Sequence, residues 1–260
     1  MLLATWNVNS LKARLSRVER WLENFRPDVL CLQETKMADD AFPALAFEAL
    51  GYESFHNGEG RWNGVAILSR VGLEDPMAGF VEGEQPDTDA RLAWAKCGGV
   101  RVASCYVPNG RSLDNDHYQY KLSWMDRLHA TLDRTCDPSD DVFVCGDFNI
   151  APADIDVYDP AKFVGATHVS NAEREKLELL THWGLTDVFR DRHPEAGLFS
   201  WWDYRGGSFH RRQGMRIDLL MVSPSMAAAT TRVLVDRNER KGPKDDPASD
   251  HAPVLMIAER

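Results

Sequence analysis

Eight polar residues of this chain stand where apolar runs stop. Asn7 follows "LLATW", Glu34 closes "VLCLQ", and Tyr106 closes "VRVASC". Asp147 and Asn149 flank Phe148 in "VFVCGDFN", Asp218 opens "DLLMV", and Asp250 with His251 precedes "APVLMI". Each has an ordinary reading alone. Asp and Asn after a glycine bond readily to nearby backbone in turns; Glu34 reads as a surface acid, Asp250 as a turn cap, and His251 as a satisfied core imidazole. Together they read differently, because loops at strand ends on a rigid scaffold are where chemistry is commonly placed. If these ends converge, one cleft receives four carboxylates, an imidazole, two carboxamides and a phenol. Such an oxygen-rich set suits a hard divalent cation that keeps some of its water. It lacks the thiolate or histidine spacing of a zinc site, and no Walker-type glycine loop is present.

The bulk properties bound the protein that must position these groups. A chain of 260 residues that is 43% apolar, with a mean hydropathy of −0.40, can bury a substantial core. No apolar run approaches the roughly 20 residues that span a bilayer, and "MLLATWNVNS" has no secretory-signal pattern. Cys31, Cys97, Cys105, Cys136 and Cys145 are odd in number and show no CxxC spacing, so a reducing, cytoplasmic setting is expected. The net charge of −10 argues against coating nucleic acid through overall charge. It leaves room for a local basic rim and for carboxylates gathered around a metal.

The pattern of apolar residues supplies the elements. "LLATWNV" reads as a strand, and Leu11, Leu15, Val18, Trp21, Leu22 and Phe25 follow at helical spacing until "RPD" ends the helix. "VLCLQE" is nearly continuous in apolar residues, as in a strand covered on both faces. "NGVAILSR", "RLAWAKC" and "VRVASCYV" read as further strands, the last two forming a hairpin at Gly98-Gly99. A helix is expected within 113–134, with Leu113, Leu122, Met125, Leu128 and Leu132 as its stripe. The strand "DVFVCG", a helix near 172–183, and the strands "FSWWDY", "RIDLLMVS", "TRVLVD" and "APVLMIAE" follow. The charged, Pro- and Gly-containing "RNERKGPKDDPASD" is an exposed loop. Hairpins alternating with helices in two similar halves predict an α/β fold: one domain over 1–260, a four-layer αββα sandwich of two packed mixed β-sheets flanked by helices.

The chain resembles the exonuclease III class of abasic-site endonucleases, within the endonuclease/exonuclease/phosphatase fold family. The resemblance runs from "TWNVNSLKAR" to "SDHAPV". "PDVLCLQETK" (27–36) fits the first signature of the class, and "GMRIDLLMVS" (214–223) the third, with Arg212 where Asn is usual. The middle signature, around "DVFRDRHPEAGLFSWW", has Val188 where Ser or Thr is commoner. These departures lie outside the candidate catalytic positions.

The resemblance implies a site, residue by residue. Glu34 is the principal Mg²⁺ ligand, with Asn7 beside it and Asp250 across the cleft. Asp147 positions or deprotonates the attacking water, and Asn149 orients phosphate or nucleophile. His251 contacts the phosphate while Asp218 bonds its far ring nitrogen, and Tyr106 lies against the phosphate or leaving oxygen. Lys36, two residues after Glu34, is implied as a substrate-binding residue, Asn109 and Arg111 as part of a phosphate-gripping loop, and Trp201, Met215 and Ile217 as the wall of a pocket for an abasic sugar. Arg91 and Arg174 are further candidate contacts to the DNA backbone. The implied protein is a monomeric Mg²⁺-dependent DNA-repair phosphodiesterase, for which Mn²⁺ is also chemically acceptable. Its partner is double-stranded DNA with abasic sites or blocked 3′ ends, not a membrane. Two alternatives remain open at the level of sequence: a related enzyme acting on a small or lipid phosphoester, and a catalytically silent DNA-binding protein.

Overall fold

A computed structural model describes residues 1–81, 87, 89–243 and 245–259. Its strands are β1 (Leu2–Asn7), β2 (Val29–Gln33), β3 (Glu53–Asn57), β4 (Val65–Ser69), β5 (Glu74–Ala78) and β6 (Leu92–Cys97) in the first part of the chain. They continue as β7 (Val100–Tyr106), β8 (Val142–Asp147), β9 (Thr186–Asp187), β10 (Asp218–Val222), β11 (Thr230–Val235) and β12 (Val254–Ala258). The helices are α1 (Leu11–Phe25), α2 (Ala44–Ala49), α3 (Asp116–Thr135), α4 (Asn171–Trp183), α5 (Val188–Arg192) and α6 (Pro224–Ala229). The strands form two six-stranded sheets, in the orders β11-β12-β1-β2-β4-β3 and β5-β6-β7-β8-β10-β9. Each sheet has one parallel pair at its centre, β1 with β2 and β7 with β8, crossed by α1 and α3 respectively; the remaining pairs are antiparallel.

Three apolar layers hold the sandwich. Between the sheets, Leu3, Cys31 and Ile67 of the first meet Val102, Phe143, Cys145 and Leu220 of the second. The outer face of the first sheet, with Trp6, Leu30 and Leu68, is covered by Leu11, Val18, Trp21 and Leu22 of α1 and Phe47 of α2. The outer face of the second, with Trp94, Val144 and Leu219, is covered by Trp124, Met125 and Leu128 of α3 and Leu177 and Leu180 of α4. This is the expected αββα arrangement. All five cysteines are free thiols.

Strand alternation then aims the polar residues. Leu3, Thr5 and Asn7 lie on one face of β1, as do Phe143, Cys145 and Asp147 on β8, because side chains repeat every two residues. The inner faces are thus apolar at one end of the sandwich and polar at the other. Thr5 Oγ1 donates to Gln33 Oε1 at 3.1 Å, and Gln33 Nε2 donates across the sheets to Ser104 Oγ at 3.0 Å. The parallel pairs deliver the C-terminal ends of β1, β2, β7 and β8 to this edge. Antiparallel β10 and β12 deliver their N-terminal ends to the same edge, with Asp218 opposite Asp147 and Val254 opposite Thr5.

The structure corrects several local expectations. "FSWWDY" is not a strand: Trp201 makes isolated bridges to Met215 and His251, and Trp202 N–H reaches Asp250 O instead of continuing a ladder. Helix α3 begins at Asp116, after Asn115 caps it by accepting from His117 N–H, so Leu113 lies outside. Leu122 is half-buried, and the stripe is carried by Tyr118, Trp124, Met125, Leu128 and Leu132. Phe25 is 39% exposed beyond the buried face of α1. The strands β3 and β5 escape the sequence reading because their mixed residues, ESFHN and EDPMA, are largely half-buried in β3 and mostly exposed in β5.

Candidate active site

The convergence produces one continuous cluster. Asn7 is fully buried, and its Nδ2 donates to Glu34 Oε1 at 2.8 Å and to Asp147 Oδ2 at 2.9 Å. Its Oδ1 accepts from Asn9 N–H. Asn7 was expected as a metal neighbour; here its amide hydrogens tie the two carboxylates together, while its oxygen is used by the loop that follows β1. On the other side of Asp147, His251 Nε2 lies 3.7 Å from Oδ2. The far nitrogen of that ring, Nδ1, stands 2.9 and 3.1 Å from the two carboxylate oxygens of Asp218. The predicted Asp218–His251 pair is therefore formed, with both members almost wholly buried. Asn149 donates its backbone N–H to Asp147 Oδ1 at 2.9 Å and its Nδ2 to Val107 O. Ser249 Oγ holds the segment before His251 by donating to Asn7 O and accepting from His251 N–H.

Charge sets the protonation of this cluster. Burial pushes the Asp147 carboxyl up, helped by Asp218 and Glu34 and opposed by His251, to about 7. Burial works against a charged His251, but the carboxylates of Asp218 and Asp147 prevail and raise its pKa to about 10. Burial and the nearby Glu34 push the Tyr106 phenol well above its ordinary value, so it is a hydrogen-bond donor at neutral pH. Burial opposes an ionised Asp250, yet His251 and the hydrogen bonds from Asn9 and Trp201 hold its carboxyl below the ordinary range.

Glu34, Asp147 and His251 form the candidate metal group, one possible ligand atom of each lying within 4.8 Å of the others; with the His251 ring protonated, the two carboxylates are the ligands it leaves for a cation. The donors fit a hard cation, since carboxylate oxygens are available while the imidazole is also engaged by Asp218. Asp250 was expected near the metal but is not in this group. It accepts from Trp201 Nε1 at 3.1 Å and Asn9 Nδ2 at 3.0 Å. Lys36 pairs with Glu34 Oε2 at 2.8 Å and also reaches Asn9 Oδ1.

The remaining expected residues divide. Asn109 is in the site, donating to Asn149 Oδ1 at 3.1 Å, and Arg111 is exposed just beyond it. Met215 and Ile217 are nearly covered, in an apolar group with Ala151 and Val157, and Trp201 retains the accessible surface of the three. Arg91 is no surface cation. It is 6% exposed, paired with Asp89 at 2.7 Å, and its guanidinium lies 4.7 Å from the centre of the Tyr106 ring, so it steadies Tyr106. Arg174 is bound to Asp154 and to Ala151 O at the edge of the site.

Sequence reasoning missed four contributors: Asn9, Lys121, His168 and Glu173. Lys121 was detectable, because it interrupts the apolar face of α3 between Tyr118 and Trp124. His168 Nε2 lies 3.1 Å from Asn109 Nδ2. Burial and the charge of Lys121 bring His168 down to about 4, so its ring is neutral and accepts that bond. Asn9, Glu34, Lys36, Arg111, Asn149 and His168 all have positive φ without being glycine. Left-handed backbone of this kind costs on the order of 1 kcal/mol or more per residue and gathers at functional sites.

A two-sheet αββα sandwich with a carboxylate–imidazole cluster at the strand ends defines a class of phosphoesterases. The chain belongs to the endonuclease/exonuclease/phosphatase family, whose profile matches residues 4–251. Its relatives place it in the exonuclease III class. It is 33% identical over 266 residues to an exodeoxyribonuclease III of Haemophilus influenzae, covering 98% of each chain. It superposes with a TM-score of 0.95 on a 3′ phosphatase from Neisseria bound to a product DNA hairpin, at 40% identity, both chains covered in full. An AP endonuclease from Archaeoglobus fulgidus matches with the same TM-score and coverage at 35% identity. No described helix is long and apolar enough to cross a membrane.

Proposed function

We propose that this protein is a divalent-metal-dependent DNA-repair phosphodiesterase that generates 3′-hydroxyl ends. It removes 3′-phosphates and 3′-terminal nucleotides from duplex DNA and incises the strand 5′ to abasic sites. The observation that carries the reading is the position of Asp147 Oδ2, 2.9 Å from Asn7 Nδ2 and 3.7 Å from His251 Nε2. One carboxylate thereby faces both the metal-binding Glu34 and the cationic imidazole. Relatives acting on 3′ ends and on abasic sites, at 40% and 35% identity, support DNA as the substrate over a small or lipid phosphoester.

Hydrolysis of a phosphodiester needs an in-line water, neutralised non-bridging oxygens and help for the leaving oxygen. Asp147, tuned near neutrality, takes the proton of the water, and Asn149 fixes the carboxylate through its backbone N–H. Protonated His251 donates from Nε2 to a phosphate oxygen, because Asp218 engages its Nδ1 and keeps the ring charged. Tyr106 donates its phenolic proton to the phosphate or leaving oxygen, held by Arg91 against its ring. Asn109 and Arg111 grip the phosphate, and Trp201 borders the sugar. Glu34 would hold a Mg²⁺ ion, or Mn²⁺ in its place, which when bound would supply Lewis-acid stabilisation of charge on the phosphate oxygens. The site is complete within one chain, consistent with a monomer. The full set of polar residues also speaks against a silent binding protein.

The test uses three labelled duplexes: one with a 3′-phosphate, one with a recessed 3′-hydroxyl and one with a central abasic site. Each is incubated with wild type and Asp147→Asn, in Mg²⁺ and in EDTA. Metal-dependent products ending in 3′-hydroxyl, lost in the variant, are expected. Wild type that leaves all three intact in Mg²⁺ overturns the proposal.

A further inference from the structure

Beneath the site, Lys121 of α3 and Glu173 of α4 form an ion pair with both side chains 0% exposed and Nζ 2.5 Å from Oε1. Taking two charges out of water is costly, and stability alone is a weak reason to keep such a pair. Its geometry suggests another reason. An ammonium has three protons to donate. Besides Glu173, Lys121 Nζ meets Asn149 O at 2.7 Å and Asn109 O at 3.2 Å. These are the residues whose carboxamides join in the site, Asn109 Nδ2 to Asn149 Oδ1.

Glu173 completes the frame. It accepts from His168 N–H at 2.9 Å, from Ser170 N–H at 3.0 Å and from Ser170 Oγ at 2.7 Å. His168 in turn accepts from Asn109 Nδ2. Three segments that are distant in sequence, around residues 109, 149 and 168, are thus fixed to one buried charge pair. Asn149 and His168 have left-handed backbone, φ +51° and +78°, which persists only where surrounding contacts over-determine it. A staple between two helices would need only the side chains of α3 and α4; Lys121 also reaches two loop carbonyls that border the site.

We propose that Lys121, held by Glu173, is a positioning residue for phosphoester hydrolysis. Its ammonium fixes the backbone of Asn109 and Asn149 so that their carboxamides, and Asp147 through the Asn149 N–H, meet the phosphate in register. Lys121 does not touch substrate. This inference rests on the hydrolytic reading of the site.

The test compares wild type, Lys121→Met and the double variant Lys121→Met/Glu173→Gln. The double variant leaves no uncompensated buried charge, and its single carboxamide oxygen can still accept from the His168 N–H or from the Ser170 donors, though not from both, so it is expected to fold. The readout is the single-turnover rate constant on the 3′-phosphate duplex with Mg²⁺ and saturating enzyme, which is independent of the fraction of folded molecules. It should fall by about tenfold to a hundredfold, as displacements near 1 Å do, with affinity for product duplex nearly unchanged. A wild-type rate constant, even at reduced amplitude, overturns the proposal by showing that the pair serves folding alone. The side-chain amide NMR signals of Asn109 and Asn149 decide independently of turnover: broadening or loss in the double variant is expected, and unchanged signals refute the role. Wild type that cuts none of the DNA substrates would instead overturn the functional reading, while the amide signals still decide the role of Lys121.

Discussion

Replacing Asp218 by Asn keeps the shape of the buried pair and removes its negative charge. Two routes give the size of the effect. The carboxylate lies 2.9 Å from His251 Nδ1; two unit charges at that separation, with an effective dielectric of about 20, interact by roughly 6 kcal/mol. The imidazole is raised to about 10, and returning it to an ordinary value near 6.5 corresponds to about 5 kcal/mol at 1.36 kcal/mol per pKa unit. With Asp218→Asn, His251 should therefore be largely neutral at pH 7.5, although Asp147 still faces it. The hydrogen-bond donor to phosphate then loses its charge, and the single-turnover cleavage rate should fall on the order of a hundredfold or more. The assay pairs that rate with an NMR titration of the His251 ring protons in metal-free protein. The sign is definite. A His pKa raised by folding stabilises the protein fully below the unfolded value and loses that contribution as pH rises through about 10. The variant should lose stability at pH 6 to 8 and show a flatter decline toward alkaline pH. A ring in Asp218→Asn that still titrates above about 9, with cleavage within about threefold of wild type, would refute the reasoning.

Other consequences can be measured directly. Glu34→Gln removes a carboxylate from the metal cluster and should raise the Mg²⁺ concentration for half-maximal cleavage by about tenfold or more; an unchanged metal titration would exclude Glu34 as a ligand. Gly146 has φ +140°, and a Cβ there would lie 1.9 Å from the Cys105 carbonyl oxygen. Gly146→Ala should cost about 4 kcal/mol and lower the melting temperature by about 10 °C, and melting at the wild-type temperature would contradict that fit. His168, brought down to about 4, contributes stability that is present above its unfolded pKa near 6.5 and lost as pH falls through about 4. His168→Gln should remove up to about 3 kcal/mol of this acid dependence; denaturant melts between pH 7 and 4 that keep the wild-type slope would count against a neutral, half-buried His168.

How much of this was legible in the sequence depends on the range of the interactions. Strand alternation is local, so apolar runs ending in Asn7, Tyr106 and Asp147 already implied that these side chains share a face with the core. Helical spacing located α1 and α4, and the motif resemblance named the Asp218–His251 pair. Non-local contacts were not available in this way. "FSWWDY" has the composition of a strand, but its neighbours at Met215 and Asp250 offer single bridges rather than an edge to extend. Arg91 reads as a surface cation until the fold brings Asp89 and the Tyr106 ring around it.

By itself, then, the sequence determined the sandwich, the set of polar strand ends and the chemistry that their types allow, because periodicity and motif spacing operate over a few residues. Tertiary structure alone decided how those groups are wired. It turns the Asn7 amide toward carboxylates 27 and 140 residues away. It keeps Asp250 out of the candidate metal cluster, and it places the Lys121–Glu173 pair, 52 residues apart, under the Asn109–Asn149 contact. Such partners meet only when two sheets and two helices close on one another, and no local pattern in the chain specifies which polar atoms will then be left to pair.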